Sequence, residues 1–143
     1  MRTKQILCPT DFSVTASHAI GYAIEMATFY KVGICLLHVV DKPFGDKYTR
    51  VLAVSPDDLI ERMEKEAAEK MKQFITTLDD TLSFESAICH GHPVEQILLT
   101  AEKLDVGMIV MASHGRTGLA HFLNPNTTED VVCKAHCPVL VVK

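Results

Sequence analysis

Residues 107–118 read GMIVMASHGRTG, in which an apolar segment passes directly into a loop of glycine, hydroxyl and charged side chains. An uninterrupted apolar run of this kind predicts a β-strand buried on both faces, and we expect it to be the central strand of a sheet. Ligands of open parallel sheets bind at the carboxyl ends of the strands. The loop from Ala112 to Thr128 is therefore the predicted functional site.

On either side of that segment, apolar runs alternate with amphipathic stretches that have helical periodicity. Further strands are predicted at residues 5–8, 33–40, 82–89 and 138–142. The order β-α-β-α-β-α-β-α-β with continuous apolar strands predicts an α/β fold, whose parallel sheet is covered by helices on both faces. We expect one domain over residues 1–143, and the longest loop at 41–54, where no periodicity is visible.

Several helix starts are marked by capping residues. Ser13 precedes apolar residues at spacings of three and four, and its hydroxyl suits an N-cap. Residues 55–58, Ser-Pro-Asp-Asp, combine an N-cap, a proline at the first helical position and acidic residues in the first turn. Residues 126–129, Asn-Thr-Thr-Glu, have the form of a capping box that begins a helix ending near Ala135.

The composition is that of an ordinary globular domain. The chain has 143 residues, of which 48% are hydrophobic and 22% charged, with a net charge of −4. This charge argues against nonspecific nucleic-acid binding, which needs a basic face. We expect no signal peptide, no membrane association and a cytoplasmic location, because the apolar runs are short. The five scattered cysteines are interpreted as buried apolar residues rather than a disulfide framework.

Chemistry-bearing residues follow three of the predicted strands. Pro9, Thr10 and Asp11 follow the first strand, Asp41 follows the second, and residues 113–118 follow the fourth. An arginine in the last segment can pair with a phosphate, and the helix after it can present free N–H groups to an anion. The Asp11 carboxylate can accept from ribose hydroxyls. Alternatively, the glycines of that loop only shape a turn and the arginine is a solvated surface charge.

Over its whole length the chain resembles the universal stress protein family. The resemblance rests on residues 8–13 (CPTDFS), residues 37–41 (LHVVD), and residues 111–119 (MASHGRTGL) followed by 137–142 (CPVLVV). It implies a Rossmann-like, adenine nucleotide alpha hydrolase-like three-layer sandwich. The sheet of that fold is parallel and five-stranded, with the order 3-2-1-4-5.

Some members of this family bind ATP or AMP through a glycine motif that this chain keeps only in part. The motif is glycine, two residues, glycine, nine residues, glycine, then serine or threonine. Its positions fall on Ala112, Gly115, Pro125 and Asn126, so only Gly115 is retained. Ala112 adds a methyl group, Pro125 lacks a backbone donor, and Asn126 replaces a small hydroxyl side chain. The resemblance therefore implies a nucleotide-shaped cleft with a degraded phosphate-binding motif.

The other half of that cleft is retained. Asp11 matches the ribose-contacting position, and Pro9, Val39 and Met111 match apolar positions around the base. The candidate binding set is Pro9, Thr10, Asp11, Val39, Met111, Ala112, His114, Gly115, Arg116, Asn126, Thr127 and Thr128. ATP or AMP is the expected ligand type, with Mg²⁺ only if ATP is bound. No catalytic residue is expected, because no nucleophile with an orienting third group can be placed beside His114.

Three functional hypotheses follow. The leading one is a non-catalytic stress-response and regulatory protein that binds an unidentified protein partner and binds ATP or AMP weakly or not at all. It would form a homodimer through the predicted edge strand, at Val139, Leu140, Val141 and Val142. The alternative is an ATP-binding member that hydrolyses ATP slowly and acts as a nucleotide-dependent switch.

A metal or redox sensor is the third hypothesis. Cys89, His90 and His92 lie close together in sequence, but no further ligand is placed by spacing. The competing interpretation is a strand-to-helix turn in which Gly91 supplies an unusual φ and Pro93 starts the helix. His38, inside an apolar strand, is interpreted as a hydrogen-bonded core histidine.

Overall fold

The computed structural model describes residues 4–41, 55–114 and 123–143. Five strands and four helices lie in these ranges. They are β1 (Gln5–Pro9), α1 (Val14–Tyr30), β2 (Gly33–Val40), α2 (Pro56–Thr76), β3 (Phe84–His90), α3 (Pro93–Lys103), β4 (Met108–Ala112), α4 (Pro125–Lys134) and β5 (Val139–Val142). Apart from Asp41, the loop predicted at 41–54 lies outside the described residues.

The five strands form one parallel sheet in the order β3-β2-β1-β4-β5. This confirms the predicted α/β fold and its Rossmann-like strand order. From β1 the chain moves outward through β2 to β3, then returns to the other side of β1 at β4. The order therefore reverses between β1 and β4, and the carboxyl ends of these two strands flank the position where such sheets bind ligands.

The segment at 107–112 is not the central strand that its apolar run suggested. β1 occupies the centre, and β4 lies between β1 and β5. An apolar run reports burial on both faces, which every interior strand of a covered sheet has, so it does not distinguish the middle strand from its neighbour. The edge positions of β3 and β5 agree with the sequence analysis.

Helices cover both faces of the sheet. Right-handed crossovers place α1 and α2 on one face and α3 and α4 on the other. α1 packs on β1, β2, β4 and β5, whereas α2 packs on β2 and β3. The core between these layers includes Ile6, Leu7, Ile34, Leu36, Ile109 and Met111, none of which is exposed. Within the three described ranges, no helix is both long and apolar enough to cross a membrane.

Two of the predicted caps are confirmed, and the third lies at a different residue. The Ser13 and Ser55 hydroxyls accept from the N–H groups of the third residue beyond each. The cap of α4 is Asn124 and not Asn126, because its Oδ1 accepts from the Thr127 N–H at 3.0 Å. Pro125 has no N–H and a fixed helical φ, so it occupies the first helical position and the residue before it becomes the cap.

Candidate functional site

The segment after β1 is held in one conformation by its own side chains. Thr10 and Asp11 are only 1% and 3% exposed. The Asp11 Oδ1 accepts from the Ser13 N–H at 2.9 Å, and the Thr10 Oγ1 accepts from the Phe12 N–H at 3.1 Å. Phe12 takes a positive φ of 63°, which these bonds support. The predicted ribose-contacting carboxylate thus lies buried at the N-terminus of α1, where negative charge is favoured.

An aromatic pair supports this segment from β2. The His38 Nδ1 donates to the Thr10 carbonyl at 2.8 Å, since a carbonyl oxygen can only accept. The imidazole lies 4.8 Å from the Phe12 ring, and the Lys70 Nζ lies 5.9 Å from the centre of that ring. The prediction of a hydrogen-bonded histidine is confirmed, although His38 is half-buried. Sequence reasoning missed the contact with Lys70, because no local pattern shows which residue of α2 packs over the turn.

The first turn of α4 is joined to the end of β4. The Thr128 Oγ1 donates to the Ala112 carbonyl at 3.0 Å, and the Ser113 carbonyl lies 3.4 Å away. The Ser113 N–H in turn donates to the Val142 carbonyl at 2.7 Å. The structure therefore brings the predicted residues of β4 and α4 together, and it uses the Thr128 hydroxyl as a link between them.

The N-terminus of α4 is capped from within the chain. Pro125 has no N–H, the Thr127 N–H is held by the Asn124 side chain, and the Thr128 N–H donates to the Asn124 carbonyl at 3.0 Å. Free N–H groups at a helix start are what bind a phosphate. An anion at this terminus would have to displace the Asn124 carboxamide to reach the Thr127 N–H.

Asn126 is exposed in the first turn of α4, and the other predicted residues fall into three groups. Pro9, Val39 and Met111 are buried near the carboxyl ends of β1, β2 and β4. His114 is exposed, and its Nδ1 lies 2.9 Å from the Ser113 Oγ. Gly115 and Arg116, the retained glycine and the candidate phosphate ligand, lie outside the described residues.

The structure places the Ser113 hydroxyl beside the His114 ring. Neighbouring side chains can form such a hydrogen bond without any long-range packing. In the described part of the chain, no third side chain hydrogen-bonds the His114 ring. Among residues 4–41, 55–114 and 123–143, the pair has no orienting group of the kind that a hydrolytic triad requires.

The cluster proposed for a metal forms a turn. Gly91 takes a φ of 132° and its N–H donates to the Val40 carbonyl at 3.1 Å, which confirms the predicted role of this glycine. The His90 Nδ1 lies 2.5 Å from the Glu64 Oε1. Over residues 4–41, 55–114 and 123–143, no three metal-ligating side chains come together.

The thiols differ sharply in their surroundings. Cys8 and Cys35 are buried in β1 and β2, whereas Cys133 is exposed on α4. Burial raises the pKa of Cys35 to about 11, and burial together with the neighbouring Cys35 raises the pKa of Cys8 further. Because the thiolate is the reactive form, these two thiols are inert at neutral pH.

We expect a disulfide reagent such as Ellman's reagent to label Cys133 of the native protein first. A pKa raised by two units lowers the thiolate fraction about 100-fold, and burial slows access further, so Cys8 and Cys35 should react only after unfolding. Mass spectrometry of peptides after timed labelling measures the order. Cys133→Ser should remove the fast phase. Early label on Cys35 would contradict its burial in β2.

Known proteins resemble this chain in sequence and in fold. A family model described as the universal stress protein family matches residues 2–143. Universal stress protein MJ0577 of Methanocaldococcus jannaschii is 35% identical over 153 residues, covering 98% of this chain and 94% of the relative. A solved structure of MJ0577 superposes with a TM-score of 0.80 at 34% identity, covering 100% of this chain and 97% of that one.

One further solved structure has the same fold at lower identity. It is a universal stress protein from Archaeoglobus fulgidus in complex with dAMP, with a TM-score of 0.62 and 21% identity. The superposition covers 100% of this chain and 100% of that chain. At this level of identity the likeness is one of fold.

Proposed function

Because the chain belongs to the universal stress protein family, we propose that it is a non-catalytic regulatory protein with an impaired nucleotide cleft. The cleft lies at the carboxyl ends of β1 and β4, where the strand order reverses. ATP or AMP is bound there weakly or not at all. The observation that carries this proposal is the start of α4, where Pro125 has no N–H and the Asn124 side chain holds the Thr127 N–H.

The phosphate-binding end is impaired at each described motif position. Ala112 is fully buried and carries a methyl group where the family motif has glycine. Pro125 begins α4 without an N–H, and the Thr127 N–H, two residues further along, is held by the Asn124 side chain. Each missing donor costs a phosphate about 1–3 kcal/mol of binding free energy.

The ribose end supports retention of some affinity. Asp11 keeps its carboxylate at the reversal point of the sheet, and its neighbours fix the turn through Ser13 and Thr10. An arrangement with an intact ribose end and an altered phosphate end favours regulation by partner binding over nucleotide turnover. Slow hydrolysis with Mg²⁺ and ATP is the alternative, and it requires the phosphate chain to be held.

Homodimer formation through β5 is the second part of the proposal. β5 pairs with β4 along one side and forms the edge of the sheet. Val141 is 38% exposed, and Val139 and Leu140 are partly buried. An apolar edge strand with unpaired backbone groups favours pairing with a second copy.

Carried-over nucleotide gives a direct test of the proposed cleft. The protein, purified without added nucleotide and then denatured, should release less than about 0.1 mole of ATP or AMP per mole, because micromolar or weaker ligands are lost during purification. Mass spectrometry of the released small molecules measures this amount. A sample supplemented with a known amount of ATP controls for recovery. Stoichiometric ATP would favour the nucleotide-switch alternative.

A further inference from the structure

The outer face of α1 carries exposed apolar side chains that no other described residue of the chain covers. Val14 and Phe29 are each 76% exposed and Tyr22 is 49% exposed. Glu25 is the one formally charged side chain among the 17 residues of α1. By contrast, the exposed side of α2 is rich in glutamate and lysine, as expected of a helix surface in water.

These exposed residues lie on one line along the helix. With 3.6 residues per turn, six exposed positions run along the face opposite the buried alanines, and the exposed Ser17 and Thr28 flank them on one side. The six positions are Val14, His18, Gly21, Tyr22, Glu25 and Phe29. The Phe29 ring is held by an edge-to-face contact with Tyr30, with 5.1 Å between their centres. The three apolar side chains of this face therefore lie about two turns apart, with His18 and Glu25 between them.

The residues of this face are arranged symmetrically about its centre, so the face can pair with a second copy of itself that runs in the opposite direction. Its members form three pairs that are symmetric about the Gly21–Tyr22 bond: Val14 with Phe29, His18 with Glu25, and Gly21 with Tyr22. In an antiparallel pair of identical helices related by a twofold axis at that bond, apolar ends meet apolar ends. The imidazole of each copy then faces the carboxylate of the other, to which it can donate a hydrogen bond.

The centre of the pairing is open. A Cβ built on Gly21 meets no atom within 4 Å, so a second helix can approach closely at this point. We propose that the outer face of α1 is an interface between two copies of this chain, packed antiparallel about the Gly21–Tyr22 bond. This interface lies on a helical layer and is separate from the edge of β5.

The size of the face sets the expected affinity. A helix of 17 residues is about 26 Å long, and one stripe of it buries less than the roughly 800 Å² per partner of a stable interface. Association through α1 alone is therefore weak, with a dissociation constant between about 100 μM and 1 mM. Such an interface operates at high local concentration, or when a second contact between the copies adds to it.

The test measures self-association by sedimentation equilibrium, in a Val141→Lys background that blocks pairing at the edge of β5. His18→Glu places two carboxylates opposite each other, and it should weaken association at least about fivefold. The double variant His18→Glu/Glu25→Lys restores opposite charges and should return the affinity to within about twofold of the background protein. Circular dichroism confirms that each variant keeps its helices.

His136→Glu is the matched control, since it makes the same chemical change at an exposed residue that follows α4 on the opposite face of the sheet. It should leave the association unchanged. A Val141→Lys protein that stays monomeric up to about 1 mM would overturn the proposal, because even a weak interface is populated at that concentration. So would a double variant that associates as poorly as His18→Glu alone. Neither result depends on nucleotide binding.

Discussion

The triple variant Ala112→Gly/Pro125→Gly/Asn126→Ser should bind Mg-ATP at least about tenfold more tightly than the wild-type protein. Gly at position 112 removes the methyl group beside the strand end. Gly at position 125 restores an N–H at the start of α4, and Ser at position 126 restores a small hydroxyl. Together these changes return the described positions to the family's glycine motif, while Gly115 is already present.

Isothermal titration calorimetry with Mg-ATP measures this gain. Pro56→Gly is a matched control, because it makes the same change at the first position of α2, away from the cleft. It should leave ATP affinity unchanged. Thermal melting of each variant shows whether the added glycines loosen the fold. A well-folded triple variant with wild-type affinity would mean that the described motif positions do not limit nucleotide binding.

Thr128→Val should lower the free energy of unfolding by about 1–3 kcal/mol. The substitution keeps the shape of the side chain but removes the hydroxyl that donates to the Ala112 carbonyl at 3.0 Å. Thr128 is only 6% exposed, so the carbonyl cannot readily recover the lost bond from water. The link between the end of β4 and the first turn of α4 would be broken at the candidate site.

The neighbouring Thr127→Val serves as the control. Thr127 is 7% exposed, and no hydrogen bond of its hydroxyl to another described residue is found. Its replacement should change the free energy of unfolding by less than about 0.5 kcal/mol in urea denaturation. Equal losses for the two variants would indicate that the Thr128 hydroxyl is not a specific link.

The layout of the fold was predictable from the sequence because each element has a local signature. Continuous apolar runs identify strands buried on both faces, and Ser13 and Ser55 mark helix starts through their own hydroxyls. The identity of the central strand was not predictable in this way. β1 and β4 are both interior strands, and only the complete pairing pattern separates them.

The sequence around α4 contains two competing signals for the N-cap, and the prediction followed the wrong one. Asn124-Pro125 repeats the pattern of Ser55-Pro56, in which a capping side chain precedes a proline at the first helical position. The capping-box pattern at 126–129 led to a predicted cap at Asn126, which is two residues too far along the chain. The proline decides between them, because its fixed φ and missing N–H suit the first helical position.

Other features of the site depend on packing between distant segments. The bond from His38 to the Thr10 carbonyl spans 28 residues, and the bond from Thr128 to the Ala112 carbonyl spans 16. No periodicity or motif encodes which hydroxyl faces a carbonyl and which faces a ligand. The sequence therefore predicted a candidate site at the carboxyl ends of the strands, while the capping of α4 by Asn124 required the structure.

Titration of the wild-type protein with Mg-ATP in a calorimeter tests the central proposal most directly. Adenosine, AMP and ATP are compared in the same buffer. We predict a dissociation constant for ATP weaker than about 100 μM, and little gain in affinity as phosphates are added, because the start of α4 is already capped. Low-micromolar binding of ATP, with affinity that rises steeply from adenosine to ATP, would contradict the proposal of an impaired phosphate-binding end.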